Sequence, residues 1–152
     1  MEIRRATNDD GMEVARLCRL YFDESPHGDF LKYDEGRVGT LVLAAIERGA
    51  VFLALKDGEI VGLIGVVISP HPMSGELYAE DLLWFVHPDH RQGRVGPALL
   101  HAVESFAQIR GAAMLKITSP TGSTLGRFLE HRGYRSVETS YVVFFNGTEG
   151  KE

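Results

Sequence analysis

Glu80-Asp81-Leu82-Leu83-Trp84-Phe85-Val86-His87-Pro88-Asp89-His90-Arg91-Gln92-Gly93-Arg94-Val95-Gly96-Pro97-Ala98-Leu99-Leu100 is the stretch on which the reading of this 152-residue chain turns. Up to Val86 it is mostly apolar and suits a buried strand, and from Val95 its apolar residues recur at helical spacing. A short basic loop containing glycine joins the two. Such a corner points backbone N–H groups and the positive end of the helix dipole at one place, which is a physical recipe for holding a phosphate.

Downstream, Leu99, Leu100, Val103, Phe106 and Ala107 mark the inner face of a helix from about Val95 to Arg110, closed by Gly111. Met114 to Thr118 reads as the next strand, so strand, crossover helix and strand form a right-handed βαβ unit with parallel strands. Pro120, Thr121 and Gly122 break the chain, Leu125, Phe128 and Leu129 define a shorter helix ending near His131, Gly133 caps it, and a last strand is expected near Ser140 to Phe145. Upstream, Val51–Leu55 and Ile60–Ile68 flank Asp57-Gly58, a strong hairpin signal, and lead through a Pro-rich loop into the strand that ends at Val86. At the start, Glu2 to Ala6 suits a short strand, and Thr7-Asn8-Asp9-Asp10 offers a capping box for a helix from about Asn8 to Glu24. Ser25-Pro26-His27-Gly28-Asp29 breaks it, and a second helix covers about Asp34 to Arg48 with Val38, Leu41, Val42, Ala45 and Ile46 inward. The expectation is one α/β domain over residues 1–146, with a mixed sheet and about four helices, followed by a flexible tail at 147–152. The sheet is antiparallel in its N-terminal half and has a parallel strand pair across the βαβ unit.

Sixteen Lys plus Arg against 21 Asp plus Glu give a formal charge of -5, which argues against nucleic acid as a partner. The mild acidity suits a cationic partner or simply keeps the chain soluble. Cys18 is the only cysteine, so no internal disulfide forms, and its place in the Val14, Leu17, Cys18, Tyr21 series makes it a small buried hydrophobe. No apolar run approaches the ~18 residues of a membrane span, and no secretory leader is visible, so no membrane partner and a cytoplasmic location are expected. The histidines His87, His90, His101 and His131 lack metal-ligand spacing and read as solvated or capping groups, so no metal is expected. His27 and His71 lie in loops and could touch a substrate. Neither a P-loop nor a dinucleotide glycine pattern is present.

Three local matches resemble the GNAT superfamily of acetyl-coenzyme A-dependent N-acetyltransferases, and together they span nearly the whole chain. Ile3-Arg4-Arg5-Ala6-Thr7-Asn8-Asp9-Asp10 looks like the family's strand followed by a capped first helix. Phe85 to Gly96 looks like its pyrophosphate motif, written as Gln or Arg, two variable residues, Gly, one variable residue, then Gly or Ala. Phe128-Leu129-Glu130-His131-Arg132-Gly133-Tyr134 resembles its late helix-to-strand corner. Arg91 and Gly96 fit the motif, but Arg94 stands where the first Gly is expected and Gly93 lies one residue early. Arg94 then either adds a charge-assisted phosphate contact or distorts the loop.

The resemblance implies acetyl-coenzyme A as cosubstrate, held by Trp84, Phe85, Val86, Arg91, Gln92, Gly93, Arg94, Val95 and Gly96. It implies direct acetyl transfer to a primary amine on a small molecule, peptide or protein, with a backbone N–H near Trp84 or Phe85 stabilising the charge on the acetyl oxygen. Glu80, six residues before Val86, is at the offset of a family general base, or else is a strand-end ion-pair partner. Strand alternation would put Glu80, Leu82, Trp84 and Val86 on one face. The family's acidic tyrosine position is occupied by Leu129, which leaves Tyr141 and Tyr134 as candidates for protonating the thiolate, with water as the alternative. Acids and aromatics from Tyr21 to Asp34 suit a cationic amine or an ordinary surface loop. From a different class comes the expectation of a catalytically silent coenzyme A-binding or protein-interaction module, motivated by Arg94 and Leu129. Exposed strand edges make a homodimer a further expectation.

Overall fold

Asp57 and Gly58 take positive φ angles of 52° and 80°, the pair of left-handed residues that a two-residue hairpin turn requires. In this computed structural model, which describes residues 1–145, the turn joins β2 (Val51–Lys56) to β3 (Glu59–Pro70), with Lys56 opposite Glu59. β1 (Glu2–Arg5) pairs antiparallel with β2, and β4 (Leu77–Val86) pairs antiparallel with β3. β5 (Leu115–Lys116) follows the crossover helix α3 (Val95–Ile109) and lies parallel to β4. The five-stranded sheet therefore runs β1-β2-β3-β4-β5, antiparallel except at its last pair.

Helices cover both faces because each carries one apolar stripe. α1 (Gly11–Glu24) and α2 (Glu35–Glu47) bury Val14, Leu17, Cys18, Val42, Ala45 and Ile46 against Leu53, Leu63 and Phe85 of the sheet. On the opposite face α3 buries Val95, Leu99, Leu100, Val103 and Phe106 against Phe52, Ala54, Ile64 and Val66, and Leu129 of α4 (Leu125–His131) joins them. Each such large side chain contributes about 1.5–3 kcal/mol on burial. Burial also pushes the Cys18 thiol up to about 11, consistent with an inert core residue. The predicted capping box forms, with Thr7 N–H donating to Asp10 at 2.7 Å, and Asp34, which the sequence reading placed within the second helix, caps α2 by accepting the Arg37 N–H at 2.9 Å. The first helix enters through a 3₁₀ turn at Asn8–Asp10 before α1 begins at Gly11.

Three features depart from the sequence-based expectation. β5 contains two residues rather than the stretch from Met114 to Thr118, because the Thr118 N–H leaves the ladder and donates to the Asp81 side chain at 3.1 Å. β4 carries a bulge: Gly65 opposes Leu83 and Val66 opposes Asp81, so Leu82 is the extra residue. Leu82 and Leu83 both pack on the α1–α2 side, whereas Trp84 and Val86 pack on the α3 side. The shared face expected for Glu80, Leu82, Trp84 and Val86 is therefore corrected. Ala79 opposes Ile68, which packs on the α3 side, so its neighbour Glu80 faces the other way.

The last strand expected at Ser140 to Phe145 does not form among the described residues. Its β-prone composition finds no ladder to join, since β5 is too short to template one. The segment is instead held by Phe144, stacked on Phe30 with centroids 4.2 Å apart, and just before it Glu138 lies 2.8 Å from Lys116. The tail expected at 147–152 lies outside the described residues. None of the helices among them is long and apolar enough to cross a membrane.

Candidate active site

β5 pairs with β4 only at Ala79–Leu115 and Glu80–Lys116. Among the described residues, the edge of β4 from Asp81 to Val86 thus has no strand beside it. At ~3.3 Å per residue this is about 20 Å of open backbone edge. The start of α3 is held at the far end of that edge by Gly62 on β3. A Cβ there would meet Phe85 O and Val95 Cγ1 at 3.1 Å and Leu99 Cδ1 at 3.2 Å, so any larger residue would press the helix start outward by a few tenths of an ångström. Gly96 lies beside the Trp84 ring, its notional Cβ 3.7 Å from Cζ2.

Among the described residues, the N–H groups of Gln92, Gly93, Arg94, Val95 and Gly96 have no hydrogen-bond acceptor within the protein. Consecutive unpaired amides at a helix start form a concave anion site. Arg94 caps α3 with φ −88° and ψ −7°, a right-handed conformation open to any L-residue, so the backbone at this position makes no demand for glycine. Gly93 has open space around its notional Cβ. The Arg91 guanidinium turns inward to Val86 O, to Glu24 and over the Phe85 ring. Beneath the corner, Trp84 Nε1 is buried and is the single buried side-chain N or O atom without a partner among the described residues. An unpaired buried donor costs about 1–3 kcal/mol, which a ligand oxygen would recover.

Four charged groups meet where β4 and β5 part. Lys116 Nζ lies 3.5 Å from Glu80 and 2.8 Å from Glu138. Asp81 stands apart from this pairing, and burial pushes its carboxyl up to about 6 despite the opposing hydrogen bond from Thr118 N–H. Tyr21 of α1 is raised by its own burial and then by the charge of Asp81, which places the two within electrostatic reach. Sequence reasoning passed over Asp81, because the bulge at Leu82 and the Thr118 contact beside it depend on the neighbouring strands.

The remaining expected residues sit elsewhere. Tyr134 donates its O–H to Glu104 at 2.7 Å within a Glu104–Arg132 pair, and burial and that acceptor raise its pKa. Tyr141 is 92% exposed. At the end of α1, Asp23 pairs with Arg19 and Glu24 with Arg91, so these acids are already paired. Phe22 packs on Tyr33, and His27 and Phe30 meet Phe144. His71 lies against Tyr78, and His87 accepts the Asp89 N–H as a cap. Among the described residues, no three His, Cys, Asp or Glu side chains gather as a metal site.

Known proteins share both this order of elements and this sequence pattern. Residues 13–134 match the Acetyltransferase (GNAT) family. The chain belongs to that family. Within it, the chain is 28% identical over 136 residues to an aminoalkylphosphonate N-acetyltransferase of Salmonella typhimurium, covering 88% of this chain and 84% of that one. It superposes with a TM-score of 0.69 on a ribosomal-protein-alanine N-acetyltransferase from Brucella melitensis, at 23% identity, over 95% of this chain and all 100% of the other. A similar fold, with a TM-score of 0.75 at 18% identity, is found in an integron cassette protein from the mobile metagenome of Cole Harbour Salt Marsh, over 99% of this chain and 93% of that one. These structural likenesses are of fold. The GNAT donor, acetyl-coenzyme A, suits the residues present, since the unpaired amides at 92–96 and the orphaned Trp84 N–H are donors lacking acceptors.

Proposed function

We propose that this GNAT-family protein transfers acetyl from acetyl-coenzyme A directly to a primary amine on a small molecule, peptide or protein. The observation that carries the reading is the open edge of β4, which runs from the unpaired amides at 92–96 to the half-buried carboxyl of Asp81. Bound acetyl-coenzyme A supplies a thioester carbonyl and a thiol leaving group. Gln92, Gly93, Arg94, Val95 and Gly96 would hold its pyrophosphate, and the edge at Trp84, Phe85 and Val86 would pair with its pantetheine arm as an added strand. A backbone N–H of Trp84 or Phe85 then donates to the carbonyl oxygen as negative charge develops there.

The attacking amine must shed a proton. Glu80, the base implied by the family resemblance, shares Lys116 with Glu138. Asp81 is better suited: among the described residues its carboxyl has no cation within bonding distance, it lies at the parting of the strands, and a value of about 6 is matched to proton abstraction near neutrality. In this reading Asp81 takes the proton and Glu80 orders the charged groups beside it. Tyr134 is committed to Glu104, so the departing thiolate is protonated by water or by Tyr141. Cys18 is buried with a raised pKa, which favours direct transfer over an acyl-enzyme.

The acceptor of the Salmonella relative, an aminoalkylphosphonate, gives a first small amine to try. Thiol release from acetyl-coenzyme A over a panel of aminoalkylphosphonates, polyamines and peptide N-termini tests the proposal. Amine-dependent release with an N-acetylated product is expected. Coenzyme A binding without turnover on any amine would favour a silent binding module instead.

A further inference from the structure

Arg91 occupies the motif position expected to touch the cofactor, yet its Nε and Nη2 are both engaged by the protein. Its Nε donates to Val86 O at 2.7 Å, and its Nη2 reaches both carboxylate oxygens of Glu24 at 2.5 and 2.8 Å. The Phe85 ring lies 5.4 Å beneath the guanidinium. A guanidinium held this way has its charge offset by Glu24 and its orientation fixed, which leaves only the Nη1 donors for another partner.

Glu24 is the last residue of α1, and the loop that follows it runs to the cap of α2 at Asp34. That loop has few other ties to the body of the protein near its start. Ser25 donates to Phe22 O at 2.8 Å, and Tyr33, at its far end, packs on Phe22 and donates to Ala15 O at 3.3 Å. These contacts return to α1 itself, while His27 and Phe30 farther along the loop pack on Phe144. The Glu24–Arg91 pair is the one that crosses to the loop between β4 and α3. Arg94 shows the opposite condition: it is exposed at the cap of α3, beside the unpaired amides, with no hydrogen bond or ion pair from its side chain among the described residues.

Resting on the reading that this corner takes the pyrophosphate of coenzyme A, we infer that Arg91 is a positioning residue and Arg94 the phosphate-binding cation. Through Glu24, Arg91 ties the loop after α1 to the cofactor loop, while Arg94 meets the phosphates from the place where the family pattern has glycine. The two loops then move as one piece, so the order of the loop after α1 depends on a contact made within the cofactor loop.

Calorimetry with coenzyme A at several salt concentrations, together with amide hydrogen exchange on the unliganded protein, separates the two roles. Arg94→Ala should raise the coenzyme A Kd about tenfold and flatten its salt dependence. Glu24→Gln and Arg91→Lys should each leave that Kd within about twofold while speeding exchange in residues 25–34, and the double variant should exchange no faster than either single one. The inference is overturned if Arg91→Lys weakens coenzyme A as much as Arg94→Ala does, or if exchange in residues 25–34 is unmoved. Tighter coenzyme A binding by Glu24→Gln would equally overturn it, because that result would mean Glu24 competes with phosphate for Arg91. A wild-type chain that binds no coenzyme A defeats the functional reading and the role of Arg94 with it, whereas the tie to Glu24 is still judged by the exchange data.

Discussion

Asp81 combines two properties that pull against each other. Its carboxyl, raised by burial to about 6 against roughly 4 in an unfolded chain, binds a proton more tightly when folded. Folding stability therefore falls as pH rises from about 4 to 6, and the deficit persists at neutral pH, on the order of 1–3 kcal/mol. Asp81→Asn should remove that deficit and raise the melting temperature at pH 7 by several degrees, read by calorimetry. The same variant should lose about 100-fold or more in acetyl transfer, and the wild-type rate should rise with pH through an acid limb near pH 6. Unchanged turnover would remove the assigned role. Asp10 has the opposite sign: the Arg4 guanidinium at 2.8 Å and the Thr7 N–H hold its carboxyl down to about 2. Its contribution is complete above about pH 4 and fades as pH falls towards 2. Because Arg4 is partly exposed, the pair is worth about 1–2 kcal/mol, so Asp10→Asn should cost that much in urea unfolding at pH 7 and little at pH 2.

At the scale of elements, the corner between β4 and α3 depends on how closely a helix start can approach a sheet. Gly62→Ala puts a methyl group 3.1–3.2 Å from Phe85 O, Val95 and Leu99, two of them deeply buried side chains that cannot easily yield. Overpacking of this kind costs about 1–3 kcal/mol, and displacing the α3 start should also raise the coenzyme A Kd. Gly93→Ala, with open space around it, should leave stability within about 0.5 kcal/mol in the same denaturation experiment. The hairpin at Asp57-Gly58, the capping box at Thr7, and the apolar stripe of α3 were all legible in the sequence because each is a local signal over a few residues. The bulge at Leu82 and the early end of β5 were not, because both depend on the partner strand. Likewise Tyr141 to Phe145 has the composition of a strand, and composition does not say whether an edge is available to pair with it.

Across the whole molecule, the site is assembled from distant parts of the chain. Glu24 and Arg91 are 67 residues apart, and Thr118 reaches Asp81 across 37. No local pattern announces either contact, which is why the phosphate-binding corner could be read from sequence while its tie to α1 and the proton acceptor could not. The family pattern supplied the frame, and the chain's own departures from it, Arg94 in a glycine position and Leu129 in a tyrosine position, are where structure added most. The roles assigned to Asp81, Trp84 and Arg94 depend on coenzyme A lying along the open edge of β4 with its pyrophosphate at the start of α3. The chain has a single tryptophan, Trp84, and its buried unpaired Nε1 lies at that edge. The most direct measurement is therefore a fluorescence titration with acetyl-coenzyme A. The account predicts a saturable change in Trp84 emission with the same midpoint as calorimetric binding, and calorimetric binding that leaves the emission unaltered would contradict it.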